Sequence, residues 1–321
     1  MAIFNMVVWS GSWGWVIVPS YLCFTANTAW STIQLTKIWS PTTVTLEKST
    51  DWTTWTTYTI WDTITLTNIW DKVYFRNASE TDTGFSTWYS NYYKFVMTGS
   101  ISGSWDVNYL LNKYLATRLP NYCYMYLFQW CSSLTTAPSL FATKVWDNAC
   151  ENMFSWCSNL TTAPSLFATK LGTNCYNNMF SWCSNLTTAP ALPATTLAGF
   201  CYGNMFSWCS NLVKAPNLSA KTLTNYCCWY MFNWCIKLTT LPKISATTFS
   251  ENCCNWMFNW CSKIKLSTTQ TWEYQTAYRI PISWTGTTGY NSLKDMFKST
   301  GWTFTWTPSI NTTYYTSNEL V

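Results

Sequence analysis

The chain has 321 residues, a net charge of +5, only 10% charged residues and no histidine. That length accommodates two domains, and the modest charge, without a Lys/Arg run interleaved with aromatics, argues against a nucleic-acid partner. Without histidine, Ser-His-Asp and Cys-His catalysis are excluded, and no apolar run of roughly 18 residues predicts a membrane span.

In chain order, residues 1–20 read as a Gly/Ser-type leader or spacer. Trp9, Trp13 and Trp15 lie in WSGSWGW, a flexible spacer if they are read as glycine. No Lys or Arg precedes Lys37, so the charged segment of a secretion signal is missing. Residues 21–100 alternate apolar and polar side chains in short runs such as STIQLTK, TITLTNI and YYKFVMTG, which predicts a small antiparallel β-sandwich. Residues 101–120 are expected to be a linker and N-terminal cap. Residues 267–321 are expected to hold a degenerate repeat, keeping Met296-Phe297, and a C-terminal cap.

Between them, residues 121–266 repeat six times with a period of 26. Trp130-Cys131, Trp156-Cys157, Trp182-Cys183, Trp208-Cys209, Trp234-Cys235 and Trp260-Cys261 mark the phase. Phe128, Phe154, Phe180, Phe206, Phe232 and Phe258 form one column, and Leu134, Leu160, Leu186, Leu212, Leu238 and Ile264 another. One such unit cannot bury its own apolar face, so units are expected to stack. Segments like Cys175–Phe180 suit a helical turn, and Leu-Thr-Thr-Ala-Pro a short strand ended by proline. The expected fold is therefore α+β: a solenoid with one short strand and one helical turn per repeat, behind the β-sandwich.

The unit CYNNMFSWCSNLTTAPALPATTLAGF resembles the MF-x-G-C-x-x-L unit of BspA-like leucine-rich-repeat surface proteins. That resemblance implies a leucine-rich-repeat fold on a bacterial surface or a phage virion. The departure from the family is tryptophan in place of its glycine, in all six units.

The same departure recurs elsewhere. Asp51-Trp52, Trp61-Asp62 and Trp70-Asp71 stand where Asp-Gly and Gly-Asp turns link strands, and Trp302 and Trp306 interrupt a Thr-rich tail. The chain has 24 Trp and 11 Gly, against about 22 Gly for average usage. UGA encodes tryptophan in some bacterial codes and glycine in others, so a gene from a UGA-glycine lineage, or its phage, read with the wrong table would look like this. Trp55, in TTWTTYT, fits a strand as a genuine tryptophan. The competing reading is an aromatic ladder of Trp130, Trp156, Trp182, Trp208, Trp234 and Trp260, binding sugars through the indole faces.

Fourteen of the fifteen cysteines lie in residues 123–261, with a seven-residue gap between the two in most units. That is not a zinc spacing, and eight helical residues would hold the sulfurs roughly 12 Å apart, too far for a bridge. Buried free thiols are expected, with inter-repeat disulfides and metal as alternatives. The carboxylates show no paired spacing for acid-base work. No catalytic residue, cofactor site or metal site is therefore expected. The expected function is non-enzymatic recognition of a host or cell-surface protein or glycan, as a phage receptor-binding or virion protein. A bacterial adhesin and a structural spacer are the alternatives. The ligand face is expected on the strand column Thr135, Thr161, Thr187, Val213, Thr239 and Lys265, of which most members equally suit a structural column of β-formers. Lys214, Lys221, Lys237, Lys243, Lys263 and Lys265 make the later repeats basic, which fits an anionic glycan or a solvated face. The implied location is extracellular, on a virion or bacterial cell surface.

Overall fold

The computed structural model describes residues 4–9, 12–17, 21–41, 43–79, 85–86, 88–111, 117–282, 285–301 and 307–320. Trp302 and Trp306 lie outside the described residues, as do 112–116 of the expected linker and cap. Within the span read as a spacer, β1 (Phe4–Trp9) and β2 (Ser12–Ile17) pair as an antiparallel hairpin.

Two sheets follow. The first runs β10 (Ile101–Ser104), β3 (Leu22–Ala26), β8 (Lys72–Asn77), β5 (Leu46–Ser49) and β6 (Thr56–Tyr58), antiparallel to one another, and is extended beyond β10 by a parallel sixth strand, Leu134–Thr136 of the first repeat. The second runs β7 (Thr63–Leu66), β4 (Ser31–Ile38) and β9 (Tyr92–Thr98). Alternation puts Leu22, Phe24, Val73 and Phe75 of the first sheet and Ile33, Leu35 and Phe95 of the second in the core. Phe95 meets Phe24 and Phe75 edge-on, with ring centroids 5.2 and 5.8 Å away, and joins the two sheets.

The strand connections need left-handed residues. Asp62 N–H bonds to Thr59 O, and Asp71 N–H to Asn68 O. Trp61 (φ +83°) and Trp70 (φ +73°) are the third residues of these turns, a position where a positive φ calls for glycine. Gly99 takes the same conformation at φ +80°, and a Cβ there would lie 2.4 Å from Ser31 Oγ. It is the one left-handed glycine among the described residues, against thirteen left-handed tryptophans.

The expected α+β solenoid is wrong. No α-helix occurs among the described residues, whose one helix is the 3-10 turn Val107–Leu110, and the strands form several small separate sheets rather than one continuous sheet. The segments read as helical are ribbons of successive β-turns. In the third unit, the N–H groups of Tyr176, Asn178, Phe180 and Trp182 donate to the carbonyls of Cys201, Gly203, Met205 and Ser207 in the next unit, at 2.8–3.1 Å. The intervening N–H groups of Asn177, Met179, Ser181 and Cys183 donate three residues back. A left-handed residue at every fourth position, Asn174, Asn178 and Trp182, turns the chain each time and stops an α-helix from propagating. The whole Leu-Thr-Thr segment is a strand in the first unit, where β11 (Arg118–Leu119) precedes β12 (Leu134–Thr136), and in the fifth unit Thr240 opens a two-residue strand, Thr240–Leu241, that pairs in parallel with Glu319–Leu320. Later units meet there through single bridges such as Thr162 to Thr188.

The units nevertheless stack in register. The Phe column is buried, with rings 5.2–5.7 Å apart and within 7° of parallel across the six units. Phe95 of β9 extends it at one end and Phe297 at the other. Cys157, Cys183, Cys209, Cys235 and Cys261 each donate Sγ–H to the phenylalanine carbonyl one unit back, at 3.0–3.1 Å. Cysteine fits because the site demands a small apolar side chain that still offers a donor.

A left-handed L-residue costs ~1 kcal/mol or more. Trp70 is 72% exposed, so packing offsets little of that cost. Trp70→Gly is expected to be more stable in chemical denaturation than Trp70→Ala by about 1 kcal/mol, the reverse of the usual order in regular structure.

Candidate functional site

The strand column Thr135, Thr161, Thr187, Val213, Thr239 and Lys265 is closed at both ends. Thr135 donates to Ile101 O and accepts from Asn27 Nδ2, both at 3.1 Å, within the first sheet's junction with the stack. Lys265 N–H donates to Asn318 Oδ1 at 2.7 Å, and its ammonium lies 3.7 Å from Glu273. Between them Thr161, Thr187, Val213 and Thr239 are exposed and one unit apart. Their backbones are tied, as in Val213 N–H to Thr187 O and Thr239 N–H to Val213 O, so the side chains form a fixed row.

Trp130, Trp156, Trp182, Trp208, Trp234 and Trp260 all sit at φ +61° to +69°. Their indoles stack with centroids 4.2–4.8 Å apart and planes within 14°. Each inner indole therefore spends both faces on its neighbours. The ladder offers a ligand ring edges and two terminal faces, not the open faces that sugar stacking needs. Trp55 is different: it is not left-handed, and it packs edge-on to Tyr21 at 4.8 Å with the Arg76 guanidinium 4.1 Å from its ring.

All fifteen cysteines are free and buried. Burial raises the thiols of both series above their ordinary range, Cys131 to about 12, which disfavours the nucleophilic thiolate. Among the described residues no group of three or more His, Cys, Asp or Glu could hold a metal ion, and no helix is long and apolar enough to cross a membrane.

Sequence reasoning missed one cluster, where the second sheet meets the turn ribbons. Tyr92 lies 4.8 Å from Tyr126, and Tyr89 lies 5.4 Å edge-on to Tyr122. Tyr89 is 42% exposed, and Tyr92, Tyr122 and Tyr126 are half-buried. The Tyr89 hydroxyl donates to Asn148 Oδ1 at 2.7 Å. Glu151 is 8% exposed beside them. Its Oε1 accepts from Asn177 Nδ2 at 3.3 Å, and its Oε2 is buried without a partner, as is Asn177 Oδ1. Burial raises the Glu151 carboxyl to about 7, against the pull of the Asn177 amide. Burial, with the charge of Glu151 next, raises the Tyr126 hydroxyl to about 12. The available sequence signal was tyrosine at positions 122 and 126, where the next two units carry Asn148, Asn152, Asn174 and Asn178.

No family model, curated protein or solved structure matches this chain. The likeness to the MF-x-G-C-x-x-L unit rests on the residues alone.

Two buried carboxyls give the protein a definite pH response. Burial raises Asp106 to about 6, although it accepts from the N–H groups of Asn108 and Phe141. Both carboxyls lie above their unfolded values near 4. The native state therefore holds more protons than the unfolded chain from about pH 4 to 7, and stability falls as pH rises through that window. Denaturation midpoints are expected to be higher at pH 5 than at pH 8, and Glu151→Gln should flatten the slope while raising stability at pH 8.

Proposed function

We propose that the chain is a non-enzymatic recognition protein, exposed on a virion or a bacterial cell surface, that engages a host or cell-surface protein or glycan along its repeat stack. The observation that carries this reading is the row of Thr161, Thr187, Val213 and Thr239. Four exposed side chains are held one unit apart by backbone hydrogen bonds, with both ends of the column closed. A row that is already rigid loses little conformational entropy on binding, and many weak contacts then sum to useful affinity. The burial of every thiol supports a role without nucleophilic cysteine chemistry.

The same proposal covers the tryptophans. We read the thirteen left-handed ones as glycine in the native chain, the product of UGA codons. They occupy turns of the β-sheets as well as ribbon corners, so stacking in a ladder cannot account for them all.

Replacing Thr161, Thr187 and Thr239 together by Asp should leave the fold intact, because these positions are exposed, and should abolish binding of the labelled protein to intact host cells. Binding equal to that of the parent would overturn the assignment of this row.

A further inference from the structure

Beside the Thr161–Thr239 row, the repeat breaks two of its own columns. In one, Phe141 and Phe167 of the first two units stack at 5.0 Å, and Pro193 and Ser219 replace them in the third and fourth. In the other, Leu140 bridges Leu166 and Leu218 bridges Ile244, but among the described residues Leu192 bridges neither neighbour. Ser245 N–H donates to Leu218 O at 3.0 Å, and the equivalent bond from residue 193 to Leu166 O cannot form, because proline has no N–H. Smaller side chains and a missing bond leave a groove of about 380 Å³ between the third and fourth units. Leu192, Pro193 and Pro216 give it apolar surface, and Lys214, Asn217 and Ser219 give it polar groups. No tryptophan lines it, so the codon reading does not bear on it.

Charge is the second observation. From residue 152 to residue 250 the sequence holds Lys170, Lys214, Lys221, Lys237 and Lys243, and no Asp, Glu or Arg. Lys214 is exposed and has no ion pair among the described residues. It is the one cation in a bridged column that otherwise reads Thr136, Thr162, Thr188 and Thr240. Asn217 Oδ1 accepts the Lys243 N–H at 2.7 Å, which leaves the amide Nδ2 to donate. The Ser219 side chain is exposed.

We propose that this groove binds an acidic saccharide, with the anionic group of the sugar on Lys214 and its hydroxyls on Asn217 and Ser219. The apolar surface fits the C–H face of a sugar ring, and a mostly apolar cleft with a few placed polar groups is the usual form of a small-ligand site. One cation among uncharged hydrogen-bonding groups matches a sugar acid, which carries one charge beside several hydroxyls; an acidic peptide offers charge without them. The surrounding stretch without carboxylates attracts any anion toward the groove. This inference rests on the recognition reading above and gives it a ligand class. It also adjoins the same row, since Thr188 and Lys214 directly follow Thr187 and Val213.

The test uses the full chain at low salt, titrated by calorimetry with tetragalacturonate, sulfated maltotetraose, maltotetraose and tetraglutamate. At least one of the two acidic sugars should bind saturably, and which one does identifies the acid group. Maltotetraose and tetraglutamate should bind at least about tenfold more weakly. Lys214→Gln should weaken the acidic sugar by about tenfold or more, and Lys221→Gln, which removes the same charge outside the groove, by less than about twofold. Ser219→Phe installs the side chain of the second unit and should block binding at an unchanged melting temperature. Should that variant melt lower, the comparison of Lys214→Gln with Lys221→Gln decides alone. The site is overturned if neither acidic sugar binds, if tetraglutamate binds as tightly, if the two lysine variants behave alike, or if a stable Ser219→Phe binds like the parent. Absence of sugar binding, with cell binding still dependent on the Thr161–Thr239 row, removes this inference alone. Sugar binding in the groove, with cell binding indifferent to the row, removes the row and leaves the groove.

Discussion

One constraint organises the stack: every fourth residue of each turn ribbon must be left-handed. A left-handed corner at Asn174, Asn178 and Trp182 lets alternate N–H groups point along the stack, while the others close turns within the unit. Each bond is worth only about 1 kcal/mol net, but the pattern recurs in every unit. It is what places Phe over Phe and Cys Sγ under the preceding phenylalanine carbonyl. The β-sheets join the same system because Phe95 and the Phe95 N–H to Leu127 O bond treat the second sheet as one more layer.

The constraint also sorts side chains by what they cost. Asparagine and glycine take a left-handed corner readily, and tryptophan, tyrosine and phenylalanine do not. Tryptophan sits at such corners in turns that share no neighbours, from Trp30 and Trp70 in the sheets to Trp260 in the last full unit. The proposed cause at the level of the codon would cover that whole distribution, which stacking in the ladder alone does not. Bulky residues other than tryptophan take the same corners, Tyr122 and Tyr126 in the first unit, Phe200 in the fourth and Tyr226 and Tyr230 in the fifth.

Much of this was legible in the residues. The 26-residue columns, the alternating runs of residues 21–100 and the glycine-like turns at Trp61 and Trp70 can be read without coordinates. The turn ribbon could not, for a geometric reason. Tyr176, Met179, Phe180 and Cys183 are spaced as the buried face of a helix with 3.6 residues per turn, and a ribbon that turns every four residues produces nearly the same spacing over so short a span. The discriminating clue was the series Asn174, Asn178, Trp182, three residues at intervals of four, each being a left-handed former or a stand-in for one. The tyrosine cluster was hidden for another reason. Tyr89 and Tyr92 reach Tyr122 and Tyr126 only because β9 docks on the first unit, a contact that no local pattern encodes.

The stack stands on the left-handed corner and what it permits. The most direct measurement is the mass of proteolytic peptides from the native protein, read against the codons at Trp30, Trp39, Trp52, Trp61, Trp70, Trp105, Trp130, Trp156, Trp182, Trp208, Trp234, Trp256 and Trp260. The account predicts UGA codons and peptides lighter at each of these sites by the difference between a tryptophan and a glycine residue, with Trp55 unchanged. Peptides that carry the full indole mass at these sites would contradict it.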